Sequence, residues 1–374
     1  MPPYQCHIRI KKNPTKKHRP SPSPRPSHQD QFSKKSDEDE LSRVYCKLDA
    51  GGFSPTGSLE LMRGDLTEVL YKAADESTNV MYHFETTIHS LVQREDKVIV
   101  ELQNRNDRSI RTEEFTMVIG ADGARSRTRQ LIMGPPEEIN CYKRVGAYVA
   151  YFSIKKEEQD WPRSRLCHFS GRRIVWMRPT TKNSDTTSVY LIHLNDTIPA
   201  LTQANAAGDR QKQKEAFADI YSGLGWETPR VVEQMMKAEN FYSDDLQQVK
   251  LPTWSQGRVV LLGDAAWAPT PFTGEGNQLA IIGAWVLAQE MSRNRGPAAF
   301  GNYEKRLRKY VEDAQDIPLY GYAPYVFNPQ TSLGIWVFRM SFLVIGAVIK
   351  LFSWSGLGRF WPDKENMAHQ HFDL

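Results

Sequence analysis

"VVLLGDAAWAPTPFTGEGNQLAII", residues 259–282, decides how this chain folds. Four apolar residues, Val259 to Leu262, run straight into Gly263 and Asp264. Such an uninterrupted apolar run suits a central strand covered on both faces. Gly263 lets the chain leave the sheet sharply. Asp264 then stands at the carboxyl end of a strand, where open α/β sheets bind ligands. Pro269 and Pro271 stiffen the following loop, and Gly274 and Gly276 remove side chains ahead of a helix starting near Asn277. Bare amides at the positive end of a helix attract electron-rich or anionic groups. An ordinary strand–loop–helix connection is the plainer alternative. The full pattern suits a ligand with sugar-like hydroxyls and an anion-forming edge, such as a flavin with its ribityl chain.

The pattern extends outward on both sides. "NQLAIIGAWVLAQEMSRN" is apolar nearly all round, which predicts a helix packed on both faces, and "PAAFGNYEKRLRKYVEDAQDI" predicts a more amphipathic one. Upstream, Leu66, Val69, Leu70 and Ala73 have helical spacing, with Asp65 as a candidate cap. "NVMYHF", "TTIHSLVQ" and "KVIVELQ" read as strands, the last two joined by a Glu95-Asp96 turn. "FTMVIGADG" reads as a short buried strand ending in a glycine-bracketed turn. Residues 140–250 differ in texture. "RVGAYVAYFSI", "RRIVWMRPT" and "SVYLIHL" are strand-like, with a turn at "SGR". Helices follow at 210–222 and 229–239, the second with Thr228 as cap and Pro229 at its first position.

These signals predict an α/β protein of two domains (α+β in its second). A Rossmann-like domain over 41–139 and 252–322 is interrupted by a β-rich domain at 140–251. A basic Pro/Ser-rich tail occupies 1–40, too poor in apolar residues to order itself. A C-terminal helical segment spans 323–374.

The 374 residues suffice for two domains, and 40% apolar with 25% charged is polar enough to accommodate such a tail. A formal charge of +4 is too weak to imply a nucleic-acid partner. The four cysteines form no C-x-x-C pair, so free thiols in a reducing, cytoplasmic compartment are expected. "MPPYQCHIRIKK" contains no apolar core of a signal peptide. "LGIWVFRMSFLVIGAVIKLFSW", 333–354, is interrupted by Arg339 and Lys350, whereas a membrane span needs roughly 20 apolar residues. It reads as a buried or interfacial helix, with peripheral membrane contact as its expected reach.

Three stretches carry a family resemblance. "VVLLGDAAWAPTPFTGEGNQLA" resembles the GD motif of the group A flavoprotein monooxygenases, the aromatic hydroxylases related to para-hydroxybenzoate hydroxylase. "VIGADGARSRTR", 118–129, resembles that family's DG motif, and "LELMRGDLTEVLY", 59–71, its arginine-bearing helix. The resemblance implies FAD as cofactor, with NADPH or NADH as donor. It places Asp264 on a ribityl hydroxyl. Ala265 and Pro271 follow in the same motif. Pro271, Gly274, Gly276 and Asn277 lie along the isoalloxazine. Arg63 falls near the phosphates or ribityl chain, with Asp122 and Gly123 shaping the site. Arg125 and Arg129 either meet phosphates or form structural ion pairs.

The implied reaction is hydroxylation of an aromatic or polyketide-like molecule by O2 through a flavin C4a-hydroperoxide. The residues themselves nominate no general base and no metal cluster, and His83, His89, His168 and His193 are scattered. Tyr148, Tyr151, Phe169 and Trp176 are candidates to line a substrate pocket, or to pack a core. Trp267 is a candidate flavin shield, or a packing residue. The sequence departs from the family in two respects: no G-x-G-x-x-G unit occurs, and Trp267 follows Gly-Asp-Ala-Ala where many relatives carry His. A truncated, N-terminally incomplete member is therefore the expectation. The alternatives are a catalytically impaired member or a non-enzymatic binding protein.

Overall fold

The structure, a computed structural model, describes residues 7–10, 63–76, 79–160, 164–179, 184–195, 197–294, 296–319, 321–341 and 344. Strand β1 (His7–Ile10) lies within the stretch expected to be an unstructured tail. Helix α1 (Arg63–Asp75) follows, then β2 (Val80–His83), which pairs antiparallel with β1. The Ile8/Ile10 alternation is what a strand needs, and the Lys, Arg and Pro content of the tail masks it. The remainder of 1–40 lies outside the described residues. Because α1 begins at Arg63, Asp65 sits inside its first turn rather than capping it, where a carboxylate still favours the helix dipole.

β3 (Thr86–Gln93), β4 (Val98–Asn104) and β5 (Ile110–Phe115) form an antiparallel sheet. Its first turn closes with the Arg94 amide donating to the Lys97 carbonyl at 2.8 Å. β5, with four charged or hydroxyl residues in six, carries no apolar alternation and escapes sequence reading. Next come β6 (Val118–Gly120), α2 (Arg127–Met133) and α3 (Pro136–Ile139).

The inserted domain is a five-stranded antiparallel sheet backed by helices. It contains β7 (Tyr142–Lys155), β8 (Arg165–Phe169), β9 (Arg173–Pro179), β10 (Thr186–Leu194), α4 (Pro199–Ala207), α5 (Arg210–Tyr221), α6 (Thr228–Lys237) and β11 (Tyr242–Val249). Strand order is β11-β7-β10-β9-β8. One sheet face, with Tyr148, Phe152, Val175 and Leu191, packs on Leu201, Phe217, Val231 and Met235 of the helices. Pro229 falls at the second helical position of α6, so Thr228 is helical and Glu227 takes the cap position.

A buried charge cluster pins the outer end of this domain. Asp160, its side chain wholly enclosed, meets Arg165 at 2.5 Å and Arg230 at 2.9 Å, and Glu227 joins both arginines. Burial raises the Asp160 carboxyl, but hydrogen bonds from Arg230, the Glu157 amide and Arg165 outweigh it and hold the group below its usual value. A carboxylate held low binds its proton less readily folded than unfolded. Its stabilisation is complete above the unfolded value of about 3.9 and disappears as pH falls through the lower folded value. Asp160→Asn should lower the urea midpoint at neutral pH, with the gap to wild type narrowing in acid. A gap independent of pH would count against this account.

The chain then returns through β12 (Ser255–Gln256), β13 (Val259–Leu261), α7 (Asp264–Trp267), α8 (Gly276–Arg293), α9 (Pro297–Gln315) and α10 (Ala323–Phe327). β13 pairs parallel with β6, Leu261 opposite Gly120, and antiparallel with β12. Val259, Val260 and Leu261 are fully buried among Leu279, Val286, Phe300, Tyr303 and the apolar face of β3 and β4. The structure therefore has the expected α/β architecture with a separate antiparallel sheet. α8 departs from expectation. Leu279, Ile282 and Val286 face inward, while Ile281 and Trp285 stay about half exposed at 51% and 52%. Among the described residues, only one of its faces is packed.

Candidate functional site

Two turns meet at one edge of the parallel pair. β6 ends at Gly120 and leads into Ala121-Asp122-Gly123; β13 ends at Leu261 and leads into Leu262-Gly263-Asp264. Parallel neighbours deliver their carboxyl ends side by side, so the DG and GD motifs are adjacent in space although about 140 residues apart in sequence. Leu262 N–H donates to the Gly120 carbonyl at 2.9 Å, carrying the ladder to the turn itself. At Gly120 a Cβ would lie 2.8 Å from Thr128 Cγ2 and 2.9 Å from Leu261 Cδ2. Only glycine lets α2 close down here.

The DG turn is held from within. The Asp122 carboxylate accepts from Ser126 Oγ at 2.5 Å, the Thr128 amide at 2.9 Å and Thr128 Oγ1 at 3.0 Å. Ser126 in turn caps α2 by accepting from the Arg129 amide at 2.9 Å. Asp122 thus shapes the site by folding its turn. Gly123 sits beyond it with φ +82 and no atom within 4 Å of where a Cβ would be.

Arg129 joins the two turns. Fully buried, it donates to the Ala265 carbonyl at 2.8 Å, the Ala124 carbonyl at 2.6 Å and Tyr142 Oη at 2.7 Å. Of the two roles the sequence leaves open, phosphate contact is thereby excluded for this side chain. Arg125, more exposed, pairs with Asp244 at 2.8 Å.

Asp264 opens α7, in the first turn of that short helix, and Gly263 precedes it at φ 63, ψ −143. Ala265 is buried and contributes its carbonyl to Arg129. Thr270 stands at φ 88, a left-handed conformation rare for a β-branched residue, and its hydroxyl accepts from the Phe272 amide at 3.0 Å. Two buried glutamines hold this loop in place. Gln248 donates to the Pro269 carbonyl at 3.1 Å, and Gln315 to the Ala268 carbonyl at 3.2 Å and the Val249 carbonyl at 2.7 Å. Neither glutamine carries a local sequence signal, because each acts across the fold. Pro271 is exposed, Gly274 adopts φ 72 in open space, and Gly276 and Asn277 begin α8. Glu275, at the cap position of α8, makes no side-chain capping bond to the first amides of this helix among the described residues. Arg63 opens α1, and only its backbone is described.

Trp267 is no flavin shield. It is 1% exposed, 4.4 Å from Trp254 and 5.8 Å from Tyr303 by ring centroids, and α8 crosses it at Gly283. An indole next to buried α7 finds the core before it finds a ligand.

The four aromatic candidates of the inserted sheet split between its faces. Tyr148 is fully buried on the helical face, its hydroxyl accepting from Arg144 at 2.9 Å and the Ile198 amide at 3.1 Å, and Phe169 packs with the same cluster. Tyr151 and Trp176 point the other way, since side chains alternate along a strand. There, Tyr242, Tyr151, Tyr190 and Trp176 stand opposite one another on β11, β7, β10 and β9. Their successive centroids are 6.1, 5.2 and 5.1 Å apart. On the same face Phe272 of the GD loop packs with Val145, Ala147, Val149 and Leu194. The loop after Asp264 and the aromatic row thus flank one surface.

The edge suits a flavin. It offers backbone without side chains at Gly123 and Gly274, uncapped amides at α8, and a carboxylate at the strand end.

Comparison with known proteins agrees. Residues 18–317 match the FAD binding domain family. Monooxygenase CTB7 of Cercospora beticola is 35% identical over 319 residues, 83% of this chain and 73% of that protein. Tetracycline destructase Tet(51) is 29% identical with a TM-score of 0.59, covering 69% of this chain, which in turn spans 65% of that one. Klebsiella pneumoniae HpxO, solved with FAD and uric acid, shares the fold at a TM-score of 0.53 and 18% identity, over 75% of this chain and 67% of that one. The paired turns, the glycine-lined edge and these likenesses converge: the chain belongs to the FAD-dependent monooxygenases, with an FAD binding domain as its larger part.

Proposed function

We propose that this chain transfers one oxygen atom of O2 to an aromatic or polyketide-like small molecule, using FAD and electrons from NADPH or NADH. The observation that carries the reading is the adjacency of the DG and GD turns at the carboxyl ends of β6 and β13. Bound FAD supplies hydride acceptance and oxygen activation; the protein's part is to hold, orient and shield. In this reading Asp264 accepts from a ribityl hydroxyl. The amides of Gly276 and Asn277, at the positive end of α8, favour negative charge on the pyrimidine edge of the ring. Pro271 and Gly274 let the ring lie against backbone, Asp122 and Gly123 shape the neighbouring groove, and Arg63 serves the phosphate or ribityl end. The face bearing Tyr151, Tyr190, Trp176 and Tyr242 supplies the substrate side, suited to flat, apolar rings.

CTB7 bears the name monooxygenase, which supports the reaction class. A cytoplasmic site of action belongs to the same proposal, supported by the free thiols Cys141 and Cys167. A second reading, a member that retains flavin poorly, draws on the lack of a G-x-G-x-x-G sequence in the 374 residues. The visible spectrum of the purified chain separates the two. Flavin bands that NADPH or NADH bleaches without oxygen are the expected result. A colourless protein that added FAD cannot reconstitute would favour the second reading.

A further inference from the structure

A half-open cavity of about 210 Å³ lies at one end of the inserted sheet, lined by Gly171, Arg172, His193, Leu194, Asn195 and Gln330. Three segments build it: the turn between β8 and β9, the end of β10, and the chain just after α10. Hydrogen bonds pin these segments together. The Gly171 amide donates to the Gln330 carbonyl at 2.8 Å, and the Leu194 amide to the Arg172 carbonyl at 3.1 Å. Asn328 Nδ2 donates to that same carbonyl at 2.7 Å. Gly171 at φ 78 and Arg172 at φ 57 are both left-handed, so the turn presents Arg172 in a conformation that residues with a side chain seldom adopt.

The polar groups around this cavity lack the partners that buried groups usually have. The Arg172 guanidinium stacks on the Tyr325 ring at 4.7 Å, yet its Nε is buried without a hydrogen-bond partner, and no carboxylate pairs with it among the described residues. His193 is 9% exposed, and its Nδ1 is also unpartnered. Asn195 Oδ1 accepts from the Thr197 amide at 3.2 Å, which leaves its Nδ2 to donate. Neighbouring Arg173 donates to the Ser170 carbonyl at 2.9 Å and the Ile220 carbonyl at 2.7 Å, so it adds positive charge without an acidic partner. No aspartate or glutamate lines the cavity. Buried polar atoms are nearly always paired, and exceptions of this kind call for a ligand or a water. A guanidinium with no counter-charge selects an oxygen anion, because its hydrogen bonds to carboxylate or phosphate are the strong ones. Cavity size narrows the ligand further. Pockets that enclose whole drug-sized molecules run to roughly 300–1,000 Å³, so this one suits an anionic group rather than a large ring system. The geometry points to a binding site for a small oxyanion, a carboxylate or a phosphate, held by Arg172 with His193 and Asn195 beside it. The anion is either free in solution or the acidic end of a larger molecule, since both present the same oxygens. The site is independent of the flavin reading.

Isothermal titration of the purified full chain tests it, with sodium phosphate and sodium benzoate as probes at matched ionic strength. Millimolar or tighter binding of at least one probe is the expected result. Phosphate alone would identify a free oxyanion, benzoate alone the acid group of an aromatic molecule, and both a general oxyanion site. Arg172→Gln should weaken that binding about ten-fold or more, and Arg172→Lys less, because an ammonium keeps the charge without the fork. The urea midpoint of Arg172→Gln without probe should stay near the wild-type value, because that guanidinium hydrogen-bonds to no protein group among the described residues. Arg108→Gln, exposed on the turn between β4 and β5, should leave binding unchanged. Two results would overturn the site: neither heat nor a raised urea midpoint with either probe, or binding that both Arg172 variants leave at full strength.

Discussion

Arg129→Ala is expected to cost about 3–5 kcal/mol of folding stability and to loosen the cofactor edge together with the core. The side chain is fully buried and hydrogen-bonds two backbone carbonyls and a tyrosine hydroxyl. Removing it strands the Ala265 carbonyl without a donor, at about 1–3 kcal/mol, leaves the Ala124 carbonyl held by the Tyr142 hydroxyl alone at 3.0 Å, and opens a cavity beside Tyr142. Those two carbonyls belong to the two turns that build the site, so the damage is directional. Arg129→Lys should rescue little, because one ammonium cannot reproduce a planar fork reaching three acceptors. Urea denaturation and flavin release on a folded variant measure the two effects. A loss of stability under about 1 kcal/mol would show that the fork does not join the turns.

Asp264→Ala is expected to weaken FAD retention by about 10–100-fold, the worth of one hydrogen bond to a charged group at roughly 1.5–3 kcal/mol. Its effect on folding should be smaller than that of Arg129→Ala, because Asp264 is exposed in the first turn of a short helix whereas Arg129 is fully buried. Asp264→Asn retains an acceptor oxygen and should fall between the two. Equilibrium dialysis with FAD, beside a urea midpoint, distinguishes a lost ligand contact from a lost fold. Unchanged retention in the alanine variant would remove the assignment of that carboxylate.

Arg129 and Trp267 show where sequence reading stops. Both lie inside motifs that point to a flavin, and each has a chemistry suited to one: a cation for phosphate, an indole for an aromatic ring. The structure turns both inward, Arg129 onto carbonyls of its own turns and Trp267 onto Trp254 and Tyr303. Gln248 and Gln315 show the converse. They hold the GD loop in place from β11 and α9, yet nothing near either in the chain distinguishes it from a surface glutamine. Tyr148 and Tyr151 mark the same boundary at finer scale. Three positions apart on one strand, they occupy opposite faces, and only the sheet's place in the fold says which face meets helices and which meets the cofactor loop.

Local order could be read directly from residue pattern. The buried run at 259–261, the glycines bracketing both turns and the strand alternation of the inserted domain are properties of neighbours, governed by sterics and apolar spacing. Identity of the family followed from the same short stretches. What required the folded chain was pairing at a distance: that β6 lies parallel to β13, that Arg129 spans their turns, and that Arg172 and His193 line one cavity. Burial and hydrogen bonding between residues far apart in sequence are set by how the sheets and helices stack, and no local pattern encodes them.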